Sequence, residues 1–345
     1  MSRTYAKSPA AARALKLVRS LQSHFVQTLE GVGSASGAAE TLESVEWLRT
    51  GGSNGGGRRI GTDGSANYNR ASVNVSQVHY DDNPGKKLGS ATALSAIVHP
   101  ANPCAPSIHV HVSWTEYKSG EGYWRIMADL NPALPDDDDL NEFETALRDI
   151  APDLFEQACE EGRRYFWIPS LERHRGISHF YLEAYNTNDP VADQALAERV
   201  TKVAIDTYGA IVRRRLTNQV VPTEDELSAQ LAYHTVYLFQ VLTLDRGTTA
   251  GLLVHDENDL GILGSLPAKV DSKLLGSWEA GMSKPQDELV VRLVEALGES
   301  KLAVVDDAAK ARLAQVLRDH YKKHPQALEL QASASTRPPS IENHQ

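Results

Sequence analysis

Residues 107–117 read SIHVHVSWTEY, and this stretch decides the fold class of the 345-residue chain. Apolar and polar residues alternate along it, which is the two-residue period of a β-strand with one buried face. The apolar face holds Ile108, Val110, Val112 and Trp114. The polar face holds Ser107, His109, His111, Ser113 and Thr115. The sequence therefore predicts a strand that packs one side into a core and carries polar groups on the other.

Neighbouring stretches predict further strands. Residues 123–130 follow across a turn containing Gly120 and Gly122, so we expect a hairpin partner. On that partner one face holds Arg125, Met127 and Asp129. Residues 71–79 alternate in the same way, and residues 177–183 predict another strand. The apolar run 236–244, VYLFQVLTL, predicts a buried strand, whereas the glycine-rich residues 51–65 predict a loop.

Helical spacing of apolar residues recurs between these strands. It predicts helices over 191–216, 286–297 and 306–322, and a helix over 138–165 that Pro152 bends or splits. Thr223 and Glu226 have the spacing of a capping box, which predicts a helix start. Strands come as hairpins or singly between helices, so the class is α+β, with a mainly antiparallel sheet covered by helices. We predict one domain over 1–330 and a disordered tail over 331–345.

Composition excludes several classes of protein. The net charge is −10, which argues against a general nucleic-acid binder, because such proteins need a basic surface. No apolar run is long enough for a membrane helix. The two cysteines are too few for a disulfide framework or a cysteine zinc site, which favours a reducing compartment.

Residues 1–29 leave two alternatives open. They contain five basic residues and no acidic residue before Glu30, a composition found in organelle transit peptides. They also contain an apolar stripe at helical spacing, as in an amphipathic helix docked on a protein surface: Leu15, Val18, Leu21, Phe25 and Leu29. The first alternative predicts a mitochondrial protein, and the second a cytoplasmic one.

Three histidines and one aspartate form the first candidate site. His109 and His111 lie two residues apart, so their rings project from the same sheet face, and Asp129 shares that layer if its strand pairs alongside. His99 precedes the same strand. The set could bind a divalent metal or act in proton transfer. The alternative is a polar, solvated sheet face.

Two charged motifs form further candidates. Asp245 and Arg246 follow the apolar run 236–244. The Asp245 carboxylate can accept an N–H of a ligand, and the Arg246 guanidinium can bind a ligand carboxylate through two parallel hydrogen bonds. A structural ion pair is the alternative. The basic run 173–175 could bind an acidic ligand. The alternative is that it lies at the protein surface without a ligand.

In their order along the chain, these motifs resemble the oxygen-dependent coproporphyrinogen III oxidases. The resemblance extends over roughly residues 15–297, and its most specific stretches are HPANPCAPSIH at 99–109 and DRGTTAGL at 245–252. It implies a homodimer whose subunit is a large, flat antiparallel sheet sandwiched between helices. It also implies conversion of two propionates of coproporphyrinogen III to vinyls, with dioxygen as co-substrate and no organic cofactor. Some bacterial members are described as using a divalent metal.

The resemblance also implies roles for individual residues. Ser95 matches a substrate-contacting serine, His109 a proton donor, and Asp129 the aspartate of a strand end. Arg175 matches an arginine of a basic loop, and Asp245 with Arg246 match the pair that addresses pyrrole N–H groups and a propionate. His99 matches a metal-binding histidine, so the candidate metal set consists of His99, His109 and His111.

The chain departs from the family pattern where arginines are expected. His111 and Ser113 stand in place of an Asn-x-Arg and are predicted to contact substrate, and residues 256–258 replace a Gly-Gly-Arg. Each guanidinium lost weakens the binding of a carboxylate by roughly 1.5–3 kcal/mol. Arg125 or Arg173 could compensate from new directions.

Three functions follow as hypotheses. The first is oxygen-dependent decarboxylation of coproporphyrinogen III in haem biosynthesis. The second is an oxidase of the same fold, metal-dependent or not, that acts on a less anionic substrate. The third is a non-catalytic relative that binds a porphyrin. The retained residues, among them His109, Asp129 and Asp245, favour an enzyme acting on a small, porphyrinogen-like molecule.

Overall fold

A seven-stranded antiparallel sheet forms the centre of the computed structural model, which describes residues 2–217, 221–255, 257–336 and 341. Its strand order is β1-β2-β3-β4-β5-β6-β9. The strands are β1 (Glu43–Leu48), β2 (Gly55–Thr62), β3 (Tyr68–His79), β4 (Leu88–Pro100), β5 (Ser107–Tyr117), β6 (Gly122–Asn131), β7 (Trp167–Ile168), β8 (Arg173–His174), β9 (Ser178–Tyr185), β10 (Lys269–Val270) and β11 (Ala303–Val304). The helices are α1 (Pro9–Ala35), α2 (Asp137–Ile150), α3 (Phe155–Phe166), α4 (Pro190–Thr217), α5 (Glu224–Thr243), α6 (Arg246–Val254), α7 (Asp259–Ile262), α8 (Ser272–Ser277), α9 (Gln286–Leu297) and α10 (Asp307–Lys323).

The predicted alternation along β5 is confirmed, and it separates two helical layers. Ile108, Val110 and Val112 are buried in one hydrophobic core with α1, α2, α3 and α4. A second core is built from α5 to α10 on the opposite side of the sheet, and Ile97 of β4 reaches into it. The α+β class, with a large antiparallel sheet sandwiched between helices, is therefore confirmed.

Helix α1 docks on the sheet through the stripe that the sequence indicates. Leu15, Val18, Leu21, Phe25 and Leu29 are all buried. Ser8 caps the helix by accepting hydrogen bonds from the backbone N–H groups of residues 10 and 11. The stripe is thus part of the main core, and cleavage after residue 29 would remove it.

The predicted strand over 236–244 is wrong, because these residues continue helix α5. The capping box is confirmed: the Thr223 hydroxyl accepts from the Glu226 N–H at 3.3 Å, and the Glu226 carboxylate accepts from the Thr223 N–H at 2.7 Å. From this cap the helix runs without a break to Thr243. All residues from 233 to 243 are buried, so no polar face reveals the helical period.

The predicted glycine-rich loop over 51–65 is also wrong for most of its length. Residues 55–62 form β2, paired with β1 and β3. A side chain at Gly57 would collide with the indole of Trp47, so the strand tolerates only glycine there. A side chain at Gly55 or Gly61 would collide with a backbone carbonyl oxygen of β3, so close packing explains these glycines as well.

The remaining predicted elements agree with the structure. The helix over 138–165 is split into α2 and α3 around Pro152, and the strand and helices predicted at 177–183, 191–216, 286–297 and 306–322 are present. The first residues of the predicted disordered tail contact the body of the protein: the Gln331 amide donates to Thr249 at 2.6 Å, and Ala334 is buried. Residues 337–340 and 342–345 lie outside the described residues. Across the described ranges, none of the helices combines the length and apolar character needed to cross a membrane.

Candidate active site

A cleft separates the polar face of the sheet from helices α5, α6 and α7. It consists of two adjoining cavities of about 220 and 250 Å³. We call the first the Asp245 cavity, because Asp245, Ser95 and His109 line it. We call the second the Ser113 cavity, because Ser113 lines it with Tyr123. Both are lined by Asn74, Ser76, Ala93, His111, Arg125, Gly247, Gly251, Gly261 and Ile262.

His109, Asp129 and Arg175 form a connected polar group at one end of the Asp245 cavity. Cross-strand pairing sets His109 of β5 directly opposite Asp129 of β6. The His109 Nδ1 lies 2.9 Å from Asp129 Oδ2, and the Arg175 Nη2 donates to the same oxygen at 3.0 Å. Asp129 is fully buried, and burial raises its pKa while the hydrogen bonds from His109 and Arg175 oppose the rise. The Arg175 Nη2 also lies 3.2 Å from His109 Nδ1, so both neighbours engage this nitrogen and Nε2 is the ring nitrogen that faces a ligand.

Arg175 is held from several sides. Its Nη1 donates to the Gln240 side chain of α5 at 2.8 Å, and its guanidinium lies over the rings of Phe166 and Tyr237. The basic run 173–175 is therefore divided: Arg173 is exposed on β8, while Arg175 is buried beside Asp129.

Asp245 caps helix α6 at the same cavity. Its Oδ2 accepts from the Thr248 backbone N–H at 2.7 Å, and its Oδ1 accepts from the Tyr165 hydroxyl at 2.8 Å. Burial alone would raise the pKa of Asp245, but these hydrogen bonds outweigh it and hold the pKa below its ordinary value. The Asp245 carboxylate is therefore ionised at neutral pH.

A buried glutamate joins two arginines beside Asp245. Glu183 of β9 accepts from the Arg125 Nε at 2.7 Å through Oε1 and from the Arg246 Nη2 at 2.9 Å through Oε2. The side chains of Glu183 and Arg246 are 2% and 5% exposed, whereas that of Arg125 is 19% exposed. Arg246 is not among the described residues that line either cavity.

Residues 13–295 match the family described as coproporphyrinogen III oxidase. The chain belongs to this family. It is 29% identical over 300 residues to the chloroplastic oxygen-dependent coproporphyrinogen-III oxidase of Glycine max, covering 78% of this chain and 73% of that protein. It is 27% identical over 242 residues to the oxidase of that name from Rickettsia rickettsii, covering 65% and 82%. Against the mitochondrial oxidase of Rattus norvegicus, identity is 26% over 264 residues, covering 68% of this chain but only 57% of the rat protein.

The metal set suggested for this coproporphyrinogen oxidase family member does not assemble. His99 is buried at the end of β4, where its Nδ1 lies 2.9 Å from the Ser107 hydroxyl and its Nε2 3.2 Å from the Ser265 carbonyl. His99 is also not among the described residues that line the cleft. Within the ranges that the structure describes, no three His, Cys, Asp or Glu side chains lie together so as to hold a metal ion. As a set, His99, His109 and His111 therefore do not fit a divalent metal in the described part of the chain.

Ser95, His111 and Ser113 lie together on the cleft face, as the sequence predicts. Ser95 is directly opposite His111 across β4 and β5. The His111 Nε2 lies 3.0 Å from the Ser113 hydroxyl. Burial, with the charge of Arg125 nearby, lowers the pKa of His111 to about 3, so the ring is neutral and offers hydrogen bonds instead of charge.

Sequence reasoning missed two residues that hydrogen-bond the charged groups at the cleft, Tyr165 and Glu183. Tyr165, at the end of α3, carries no motif, and only the packing of α3 against β9 brings its hydroxyl to Asp245. Glu183 lies in the strand predicted at 177–183, and the structure pairs it with Arg125 and Arg246. Of the two arginines suggested as compensating, Arg125 lines the cleft, directly opposite Ser113, and Arg173 is exposed elsewhere.

Proposed function

We propose that this protein is an oxygen-dependent coproporphyrinogen III oxidase of haem biosynthesis. The observation that carries the proposal is a cleft, in a chain of this family, that contains an ionised Asp245 and the His109–Asp129 pair. A porphyrinogen offers pyrrole N–H donors and propionate carboxylates. The cleft offers the Asp245 carboxylate as an acceptor for N–H groups, and the Arg125 and Arg175 side chains as cationic partners for carboxylates.

The reaction removes CO₂ and two hydrogens from each propionate side chain. A propionic acid group, –CH₂CH₂COOH, and dioxygen give a vinyl group, CO₂ and hydrogen peroxide, so dioxygen takes up two electrons and two protons. The electrons come from the electron-rich porphyrinogen. Because atoms and electrons balance with dioxygen alone, the reaction requires no organic cofactor.

The residues of the cleft take separate roles in this scheme. The Asp245 carboxylate accepts a pyrrole N–H and stabilises positive charge that develops on the ring during oxidation. His109 exchanges a proton through Nε2, and Asp129 orients the imidazole through Nδ1. Arg175 fixes Asp129 and contributes a positive charge at this end of the cavity. Ser95 and His111 offer further hydrogen bonds to the bound ring.

We also infer a cytoplasmic homodimer. The family resemblance supports the dimer, and the Rickettsia rickettsii relative carries no organelle in its name, unlike the rat and soybean relatives. The burial of Phe25 and Leu29 of α1 in the main core argues against removal of residues 1–29 as a transit segment.

Turnover of coproporphyrinogen III tests the proposal directly. The substrate is prepared anaerobically, air is admitted, and protoporphyrin formation is followed by fluorescence and chromatography. We expect product with the native chain and a loss of about 10²–10⁴-fold in kcat for Asp245→Asn, in line with the removal of an acid–base or charge-stabilising group.

Asparagine caps helices about as well as aspartate, so Asp245→Asn removes charge while retaining the cap. Asp271→Asn is the matched control, because Asp271 caps α8 in the same manner and is not among the described residues that line the cleft. Absence of product with a folded native protein, or equal losses in the two variants, would overturn the proposal.

A further inference from the structure

Arg125 differs from the other arginines around the cleft in its access to both cavities. It projects from the middle of β6, lines the Asp245 cavity and the Ser113 cavity, and keeps 19% of its side chain exposed. Arg175 also lines the Asp245 cavity, but it is 2% exposed and its guanidinium bonds Asp129 and Gln240. Among the described residues that line the cleft, Arg125 is therefore the arginine that borders both cavities.

Glu183 fixes the orientation of Arg125. The Arg125 Nε and Nη2 lie 2.7 and 2.6 Å from the same glutamate oxygen, Oε1. These contacts use one edge of the guanidinium and leave Nη1, with its two N–H groups, for a ligand. An arginine held in this way loses little side-chain entropy on binding a carboxylate.

Arg246 acts on the other oxygen of the same glutamate. Its Nη2 donates to Glu183 Oε2 at 2.9 Å, and its side chain is 5% exposed. Two guanidiniums therefore share one carboxylate, and Arg246 offsets the negative charge that Glu183 places beside Arg125. Without Arg246, the Glu183 charge would lack this second partner and would repel an anionic ligand more strongly.

We propose that Arg125 is the residue that binds a carboxylate of the substrate, and that Glu183 and Arg246 are positioning residues: Glu183 orients Arg125, and Arg246 offsets the charge of Glu183. This inference rests on the proposed function for the identity of the substrate. The hydroxyl of Ser113, directly across the strand pair from Arg125, and the Tyr123 side chain line the same cavity and complete a polar carboxylate subsite.

Equilibrium binding tests the subsite without any turnover. The probe is coproporphyrin III, a stable porphyrin with four carboxylates, and its affinity is measured by fluorescence quenching. The tetramethyl ester of coproporphyrin III, measured in the same detergent buffer, has the same ring without the charges. We expect Arg125→Gln to weaken binding of the acid by about 10- to 100-fold, as for loss of a charge-assisted hydrogen-bonded contact, and to leave ester binding unchanged.

Arg173→Gln is the matched control, because it removes an equal charge from an exposed arginine outside the cleft. Arg246→Gln is expected to weaken acid binding less than Arg125→Gln does, and Arg246→Lys, which keeps the charge beside Glu183, to restore part of the loss. Unchanged acid binding in Arg125→Gln, or equal losses for acid and ester, would overturn the proposal. If Arg246→Gln weakened binding of the acid, but not of the ester, more than Arg125→Gln does, the carboxylate contact would belong to Arg246. That result would also overturn the proposal.

The outcomes separate this inference from the proposed function. Carboxylate-dependent binding through Arg125 in a protein that forms no protoporphyrin would retain the subsite and reject the oxidase. Protoporphyrin formation with an Arg125→Gln variant of native affinity would retain the oxidase and reject the subsite.

Discussion

The two faces of the central sheet are made by the same strands and yet bury opposite kinds of side chain. On one face Leu94 and Val110 pack against α1 and α4 in a continuous apolar core. On the other face Ser95 and His109, their immediate neighbours in sequence, line a cleft. Strand alternation thus separates the residues that stabilise the fold from those that contact a ligand. The separation is incomplete, because the cleft face also buries charge at Asp129 and Glu183.

The most severe test of this separation is Asp129→Asn. Arg175 is 2% exposed and would lose its ionic partner, and breaking a buried pair by removing one charge costs about 3–5 kcal/mol. We expect the free energy of unfolding in denaturant to fall by that amount. Asp206→Asn, in an exposed pair with His24, should cost less than about 1 kcal/mol. Equal, small effects would mean that the cleft face contributes nothing to stability.

A pair of adjacent substitutions on β4 sharpens the comparison. Leu94 is fully buried, so Leu94→Ala is expected to lower the free energy of unfolding by about 2–5 kcal/mol without changing the affinity of the folded protein for coproporphyrin III. Ser95→Ala is expected to change stability by no more than about 0.5 kcal/mol and to weaken porphyrin binding. Denaturant titration and fluorescence quenching measure the two effects. If Leu94→Ala alone altered affinity, the faces would not be independent.

The smallest expected effect concerns the hydrogen bond from Tyr165 to Asp245. Tyr165→Phe removes a donor from the ionised carboxylate, so the pKa of Asp245 rises and the carboxylate becomes protonated at a higher pH. The acid limb of the pH profile of kcat/KM should therefore move to higher pH, with the loss confined to acidic pH and little change at neutral pH, where the carboxylate stays ionised.

Tyr181→Phe is the control for that experiment. The ring of Tyr181 lies 4.9 Å from that of Tyr165, and its buried hydroxyl has no hydrogen-bond partner among the described residues. Removing this hydroxyl should leave the pH profile where it is. A shift of the same size in both variants would show that packing, and not the bond to Asp245, sets the profile.

Prediction from sequence succeeded where polar and apolar residues alternate with a clear period. It failed where an element is buried on all sides and has no polar face to show its period. The strand at 107–117 has one polar face, so the sequence shows its two-residue period. The buried face and the face that lines the cleft can both be predicted from that period. The end of α5 is buried on every side, and its apolar residues fit a strand as well as a helix. Thr223 and Glu226 of the cap lie 13 and 10 residues before the start of the misassigned run 236–244, and a cap gives no measure of helix length.

The site was predictable in its sequence-local part only. His109 and His111 share a strand, and pairing with the adjacent strand brings Asp129 to His109. The partners of Arg125 and Asp245 come from β9 and α3, which lie 58 and 80 residues away along the chain. No local pattern encodes such contacts, since they follow from how the layers pack.

The alternation along β5 also restricts how the length of this chain can change during evolution. A single residue inserted between Ile108 and Ser113 would turn every later side chain of the strand to the opposite face, carrying valines into the cleft and polar groups into the core. The same insertion in the turn at residues 118–121 would leave both faces intact. Length differences between this chain and its relatives are therefore expected in the connections between strands, while the central strands change by substitution alone.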